Sequence, residues 1–120
     1  MTDFRASLSK LAEAMPGVLA VSIMGTDGIP IDSVVVEEAP DAAGLLVEYS
    51  ALLDQVRQSA QMLSAGELEE LTVRSSELTC IMRLINPEFF LAAVITPRQS
   101  MGRTRYLLRV QAPTLLEALA

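Results

Sequence analysis

The chain has 120 residues, a net charge of −6, 51% apolar residues and 20% charged residues. That length points to one domain, the apolar content excludes a disordered chain, and no apolar run approaches the roughly 18 residues that cross a bilayer. Histidine is absent and there is a single cysteine, which excludes histidine-based catalysis and zinc ligation, a Cys–His nucleophile and an internal disulfide.

The opening Met-Thr-Asp-Phe-Arg has no apolar leader stretch, so no secretory signal is expected. With one cysteine, a reducing, cytoplasmic setting is the expectation. Residues 3–15 read as a helix that Asp3 can cap. Phe4, Leu8, Leu11 and Met15 form one apolar stripe. Pro16-Gly17 stops it, because proline disfavours helix in the residue before it. Residues 18–24 are nearly all apolar, as in a strand buried on both faces. Asp27-Gly28 then makes a hairpin turn into a strand at about 29–36. Pro30 has no N–H for a ladder, so that strand should have an open side. Asp27 and Asp32 lack a third ligand nearby and read as turn chemistry, not as a metal site.

Asp41 should cap a long helix reaching about Ala65, with Gly66 at its stop. At about 100° per residue, Ala42, Leu45, Leu46, Tyr49, Leu52, Leu53, Val56, Ala60 and Leu63 collect into a core-facing stripe. Val47, Ala51, Asp54, Gln58 and Met62 form a second, mixed stripe. It reads either as scattered surface or as a contact surface. Three strands follow. In residues 68–75, Leu71 and Val73 alternate with Glu70, Thr72 and Arg74, giving one wet face and an edge-like strand. Residues 78–85 are more central, and Cys80 within them reads as a small buried hydrophobe. Residues 89–96 read as another buried strand. Residues 100–119 form a helix with Met101, Leu108, Ala112, Leu115 and Leu119 on one face, and Pro113 should kink or split it.

Charge is uneven. Residues 98–120 hold four arginines and one glutamate, whereas the rest of the chain carries −9. The acidic balance argues against nucleic acid as a partner. Arg98, Arg103, Arg105 and Arg109 oppose the dipole at a helix start, so local stability does not account for them. They serve either to pair with the acidic body or to contact an anion or an acidic partner. No glycine-rich phosphate loop occurs.

Helix, hairpin, long helix, three strands and helix make an α/β sandwich with a five-stranded, mostly antiparallel sheet in a single domain over residues 1–120. The entry through Pro16-Gly17, the Asp27-Gly28 turn, the strand opening Ile29-Pro30-Ile31, the long helix after Pro40-Asp41 and the last helix opening Ser100-Met101-Gly102 together resemble the Roadblock (dynein light chain) family, including its bacterial MglB-type regulators. The resemblance implies a sheet in the order 2-1-5-4-3. It also implies dimerisation through the long helix and the third strand, and binding to small Ras-like GTPases or a scaffold role, with no catalysis and no cofactor or metal. The dimer and partner surface would comprise Val47, Ala51, Asp54, Arg57, Gln58, Met62, Leu71 and Val73. A homodimer, or a pair with a related Roadblock chain, would present it. Were GTP hydrolysis stimulated, as by a GTPase-activating protein, Arg57, Arg103 or Arg105 could supply an arginine in trans. MglB-like members often carry small residues at mid-helix, where this chain has the bulky Asp54-Gln55-Val56-Arg57-Gln58. A structural adaptor without nucleotide sensing is the alternative, and a small-molecule sensor or enzyme on a similar sandwich a third.

Overall fold

The computed structural model of the chain describes residues 4–36 and 41–119. In chain order the elements are α1 (Phe4–Glu13), β1 (Ala20–Gly25), β2 (Pro30–Val35), α2 (Ala42–Met62), β3 (Glu70–Arg74), β4 (Thr79–Leu84), β5 (Phe89–Ile95) and α3 (Met101–Leu119). The strands form one sheet in the order β2-β1-β5-β4-β3, with every neighbouring pair antiparallel. The order is the one the resemblance implies, and β2 and β3 are the edges.

Because side chains alternate across a strand, β1 and β5 feed two cores. Val21, Ile23, Leu91 and Ala93 face α1 and α3, meeting Leu8, Leu11, Leu108 and Leu115. Ala20, Met24, Ala92 and Val94 face α2, meeting Ala42, Leu46 and Leu53. The architecture is therefore three layers, with α2 alone on one side of the sheet. Ser22 is buried within β1 but satisfied: its hydroxyl lies 2.7 Å from that of Ser33 and 3.2 Å from the Asp32 carbonyl.

The turn between β1 and β2 forms as its residues require. Gly28 adopts φ +90°, its N–H bonds the Gly25 carbonyl at 3.0 Å, and Asp27 Oδ1 accepts from Ile29 N at 3.0 Å. Asp41 does cap α2, accepting from Gly44 N at 2.9 Å; the Asp3 cap and Pro40 lie outside the described residues.

Three expectations need correction. The buried stripe of α2 is narrower than its apolar residues: Ala42, Leu46, Ser50 and Leu53 are buried, while Leu52 is 40% and Leu63 80% exposed. The sheet beneath α2 can bury only the face that points straight at it, and Leu63 lies past the helix end. That end comes at Met62, three residues before the expected Ala65. Ser64 takes the left-handed conformation (φ 56°), Ala65 N bonds Ala60 O at 2.8 Å and Ser64 N bonds Gln61 O at 3.2 Å, which closes the last turn in a Schellman arrangement. Finally, α3 runs unbroken through Pro113. Its buried neighbours Ala112 and Leu115 anchor both halves of the helix to one core, which offsets the lost backbone hydrogen bond.

Candidate functional site

The second stripe of α2 is solvent-facing along its length. Val47 is 46% and Met62 83% exposed, and Ala51 and Gln58 are exposed as well. Leu52 and Leu63 are exposed as well, but at about 100° per residue they fall on the opposite flank of the buried line, so they add to the exposed apolar surface of α2 without joining the second stripe. Helical spacing at about 100° per residue puts Leu52 in one wide core-facing stripe with Leu53. The signal that separates them is the run Ala42, Leu46, Ser50, Leu53, whose spacings of four, four and three trace the buried line through a serine. The Ser50 hydroxyl is satisfied locally by the Val47 carbonyl at 2.6 Å.

A polar bracket interrupts this surface at mid-helix. The Asp54 carboxylate accepts from Arg57 Nη2 at 2.7 Å and Nε at 3.2 Å, and from Gln58 Nε2 at 2.8 Å. One acid thus holds both neighbours, four residues or fewer away, in place on the helix surface. It neutralises Arg57 and leaves the bulk of two long side chains at the centre of the stripe.

Leu71 and Val73 are half-buried and pack on the α2-facing core, so their side chains support the β3 edge from beneath. On its outer side β3 pairs with no strand among the described residues. Arg57 and Gln61 of α2 share a cavity of about 180 Å³ with Leu68 and Leu84, which places the second half of α2 beside the β3 end of the sheet. The two elements adjoin there through Arg57 and Gln61, whereas Val47, Ala51, Gln58 and Met62 line no part of that cavity.

Arg103, Arg105 and Arg109 lie elsewhere, on the helix that covers the other side of the sheet. Two of them are engaged. Arg103 Nη2 donates to the Ala14 carbonyl at 3.4 Å, and Arg105 Nη2 sits 2.7 Å from Glu70 Oε2. Arg109 lies over the Tyr106 ring, 5.5 Å from its centroid. Cys80 is buried, and burial pushes its thiol up to about 12, far from a reactive thiolate. Among the described residues no group of three or more His, Cys, Asp or Glu is placed to hold a metal ion, and no helix is long and apolar enough to cross a membrane.

No family model matches the chain, and no curated protein matches it. Solved structures do. MglB from Myxococcus xanthus superposes with a TM-score of 0.84 at 16% identity, covering 99% of this chain and 96% of its own. A Roadblock/LC7 domain from Streptomyces avermitilis gives 0.84 at 15% identity over 98% of each chain. These two share the fold. MglC from Myxococcus xanthus is 37% identical over 96% of this chain and 98% of its own, with a TM-score of 0.69. An identity that high over 96% of this chain and 98% of MglC places this chain in the Roadblock-like, MglB-type family.

Proposed function

We propose that the chain is a non-catalytic regulatory subunit that dimerises through α2 and the β3 edge and presents the joined helix surface to a small Ras-like GTPase. The observation that carries this reading is the exposed apolar run of Val47, Ala51 and Met62 on a helix beside β3, a strand whose outer side pairs with no other among the described residues. Solvated apolar area and open strand edges are both liabilities in a monomer, and a two-fold axis covers both with their own copies. A dimer built this way would set two α2 helices side by side as a platform.

Such a platform regulates a GTPase only through different affinities for its nucleotide states. The test is a binding titration of a Ras-like GTPase from the same genome, loaded with GDP or with a non-hydrolysable GTP analogue. The expected result is binding that favours one state and that is lost with Met62→Glu. Absence of binding to either state overturns the reading.

The Asp54 bracket favours a second reading. Arg57 is paired with Asp54, so acting in trans would mean giving up that contact, and the bulk of its side chain opposes a close approach of two α2 helices at that point. A structural adaptor, or a partner to a related Roadblock chain with small residues there, fits this feature. Equal affinity for the two nucleotide states would select it.

A further inference from the structure

Away from the α2 surface, α3 and the β3–β4 end of the sheet enclose a groove of about 450 Å³, into which Arg83, Arg105, Tyr106 and Arg109 project beside Glu69 and Glu70. Its charges are unevenly matched. Arg105 is held by Glu70 at 2.7 Å. Arg109 stacks on Tyr106 and pairs with no carboxylate among the described residues. Arg83 Nη2 is 4.0 Å from Glu69, beyond hydrogen-bond length, and its Nε is buried with no acceptor. The register sets Arg83 opposite Glu70, and Thr72 opposite Ile81 of the α3-facing core, so Thr72 shares this side of the sheet. The Thr72 hydroxyl is likewise buried without a partner. Two buried donors without acceptors thus lie on the side of the sheet that bears this groove, one of them in its lining.

We propose that this groove receives an acidic segment of a partner protein, with carboxylates meeting Arg109 and Arg83 and an apolar side chain resting on Tyr106. Three features select that occupant. Arginine presents a planar fork that matches a carboxylate in two hydrogen bonds while it stacks on an aromatic ring. Tyr106 and Val110, one turn apart on α3, are 54% and 53% exposed, an apolar strip that an amphipathic segment can use and a small free anion cannot. Residues 98–120 carry +3 against −9 for the rest of the chain, a contrast that favours an acidic partner on the α3 side over the remaining surface. The acidity of the rest of the chain opposes a flat anionic membrane.

The test titrates the full chain with a fluorescent peptide of repeated Glu-Glu-Leu units and with its Gln-Gln-Leu counterpart. The glutamate peptide should bind, the glutamine peptide should bind at least about tenfold more weakly, and added salt should weaken the first. Arg109→Glu, at an exposed site, should weaken the glutamate peptide about tenfold or more, and Arg109→Gln should weaken it in the same direction. Arg98→Glu makes the same charge change outside this groove and should have less than about a twofold effect. Thermal melts confirm that the variants fold. The proposal is overturned if the glutamate peptide fails to bind or binds no better than the glutamine peptide. It is equally overturned if Arg98→Glu matches Arg109→Glu, which would reduce the effect to net charge. Displacement of the peptide by inorganic phosphate or phosphatidylserine vesicles, with the same Arg109 dependence, would assign the site to another anion. Loss of self-association in Arg109→Glu would make the occupant a second copy of this chain.

Discussion

Arg105 of α3 reaches across to Glu70 of β3 with two nitrogens, Nε and Nη2, each 2.7 Å from the same carboxylate oxygen. Among the described residues the edge strand β3 pairs with β4 alone. This ion pair is its tie to the helical layer that lies opposite α2. Because the Arg105 side chain is 53% exposed, solvent screens much of the attraction. A double-mutant cycle of Arg105→Ala and Glu70→Ala should give a coupling of about 0.2–1 kcal/mol, smaller in high salt. Chemical denaturation of the four proteins measures it, and a coupling of zero would make the contact incidental.

The α2 stripe should govern association and not folding. Ala51→Arg and Met62→Glu place charges on exposed positions, so the fold should change by no more than about 0.5 kcal/mol. In a packed helix contact the same charges must be desolvated, and affinity should fall by several kcal/mol. Light scattering and thermal melts separate the two outcomes. Unfolding of either variant would show that this side of α2 is core.

Leu52 and Leu53 are adjacent in sequence and opposite in environment. Leu53 is fully buried and Leu52 40% exposed. Leu53→Ala should cost about 2–5 kcal/mol through lost burial and a cavity. Leu52→Ala should cost a small fraction of that in the monomer. Denaturant midpoints at low protein concentration compare them directly, and equal losses would contradict the placement of α2.

Ser64 holds φ 56° at the end of α2, a conformation that costs a side chain with a Cβ roughly 1–2 kcal/mol. Ser64→Gly removes that cost but loosens the unfolded chain. The expected net is a gain of about 0.5–1 kcal/mol. A rise in melting temperature checks it; a fall would mean that the Ser64 side chain is needed where it stands.

Asp32 on β2 accepts from Arg5 Nη2 at 2.7 Å and Nε at 3.0 Å, and this bond chiefly holds its carboxyl below the ordinary value of 3.8. The Ser33 N–H adds to the lowering, while partial desolvation opposes it. The folded state therefore binds this proton less tightly than the unfolded state. The pair stabilises the fold above the ordinary value, and its contribution is lost as pH falls through the lower, native one. Asp32→Asn should be less stable than the parent at pH 7, and the gap should narrow below about pH 4. A gap that is constant with pH would assign the loss to packing.

Much of this protein is legible in its sequence, because local chemistry determines it. Asp27-Gly28 specifies a turn, as glycine alone reaches φ +90° without strain. Asp41 specifies a helix start, as its carboxylate reaches the Gly44 N–H. The buried runs at residues 18–24 and 89–96 specify interior strands, since neither has a polar face to expose. The element order then points to a Roadblock-like sheet. What the sequence leaves undecided is whatever depends on the partner across a gap. Helical spacing puts Leu52 near the core line of α2, but only the position of the sheet shows that Leu46, Ser50 and Leu53 face it and Leu52 does not. Proline chemistry places a break at Pro113, but packing of Ala112 and Leu115 on one core carries α3 through. Spacing cannot place Arg83 of β4 and Arg109 of α3 along one groove, because that depends on strand register and on the side of the sheet that α3 covers. Turns and caps are settled over a few bonds, where the residue itself supplies the energy. Burial and charge pairing are settled between elements distant in sequence, where only the folded chain decides which groups meet.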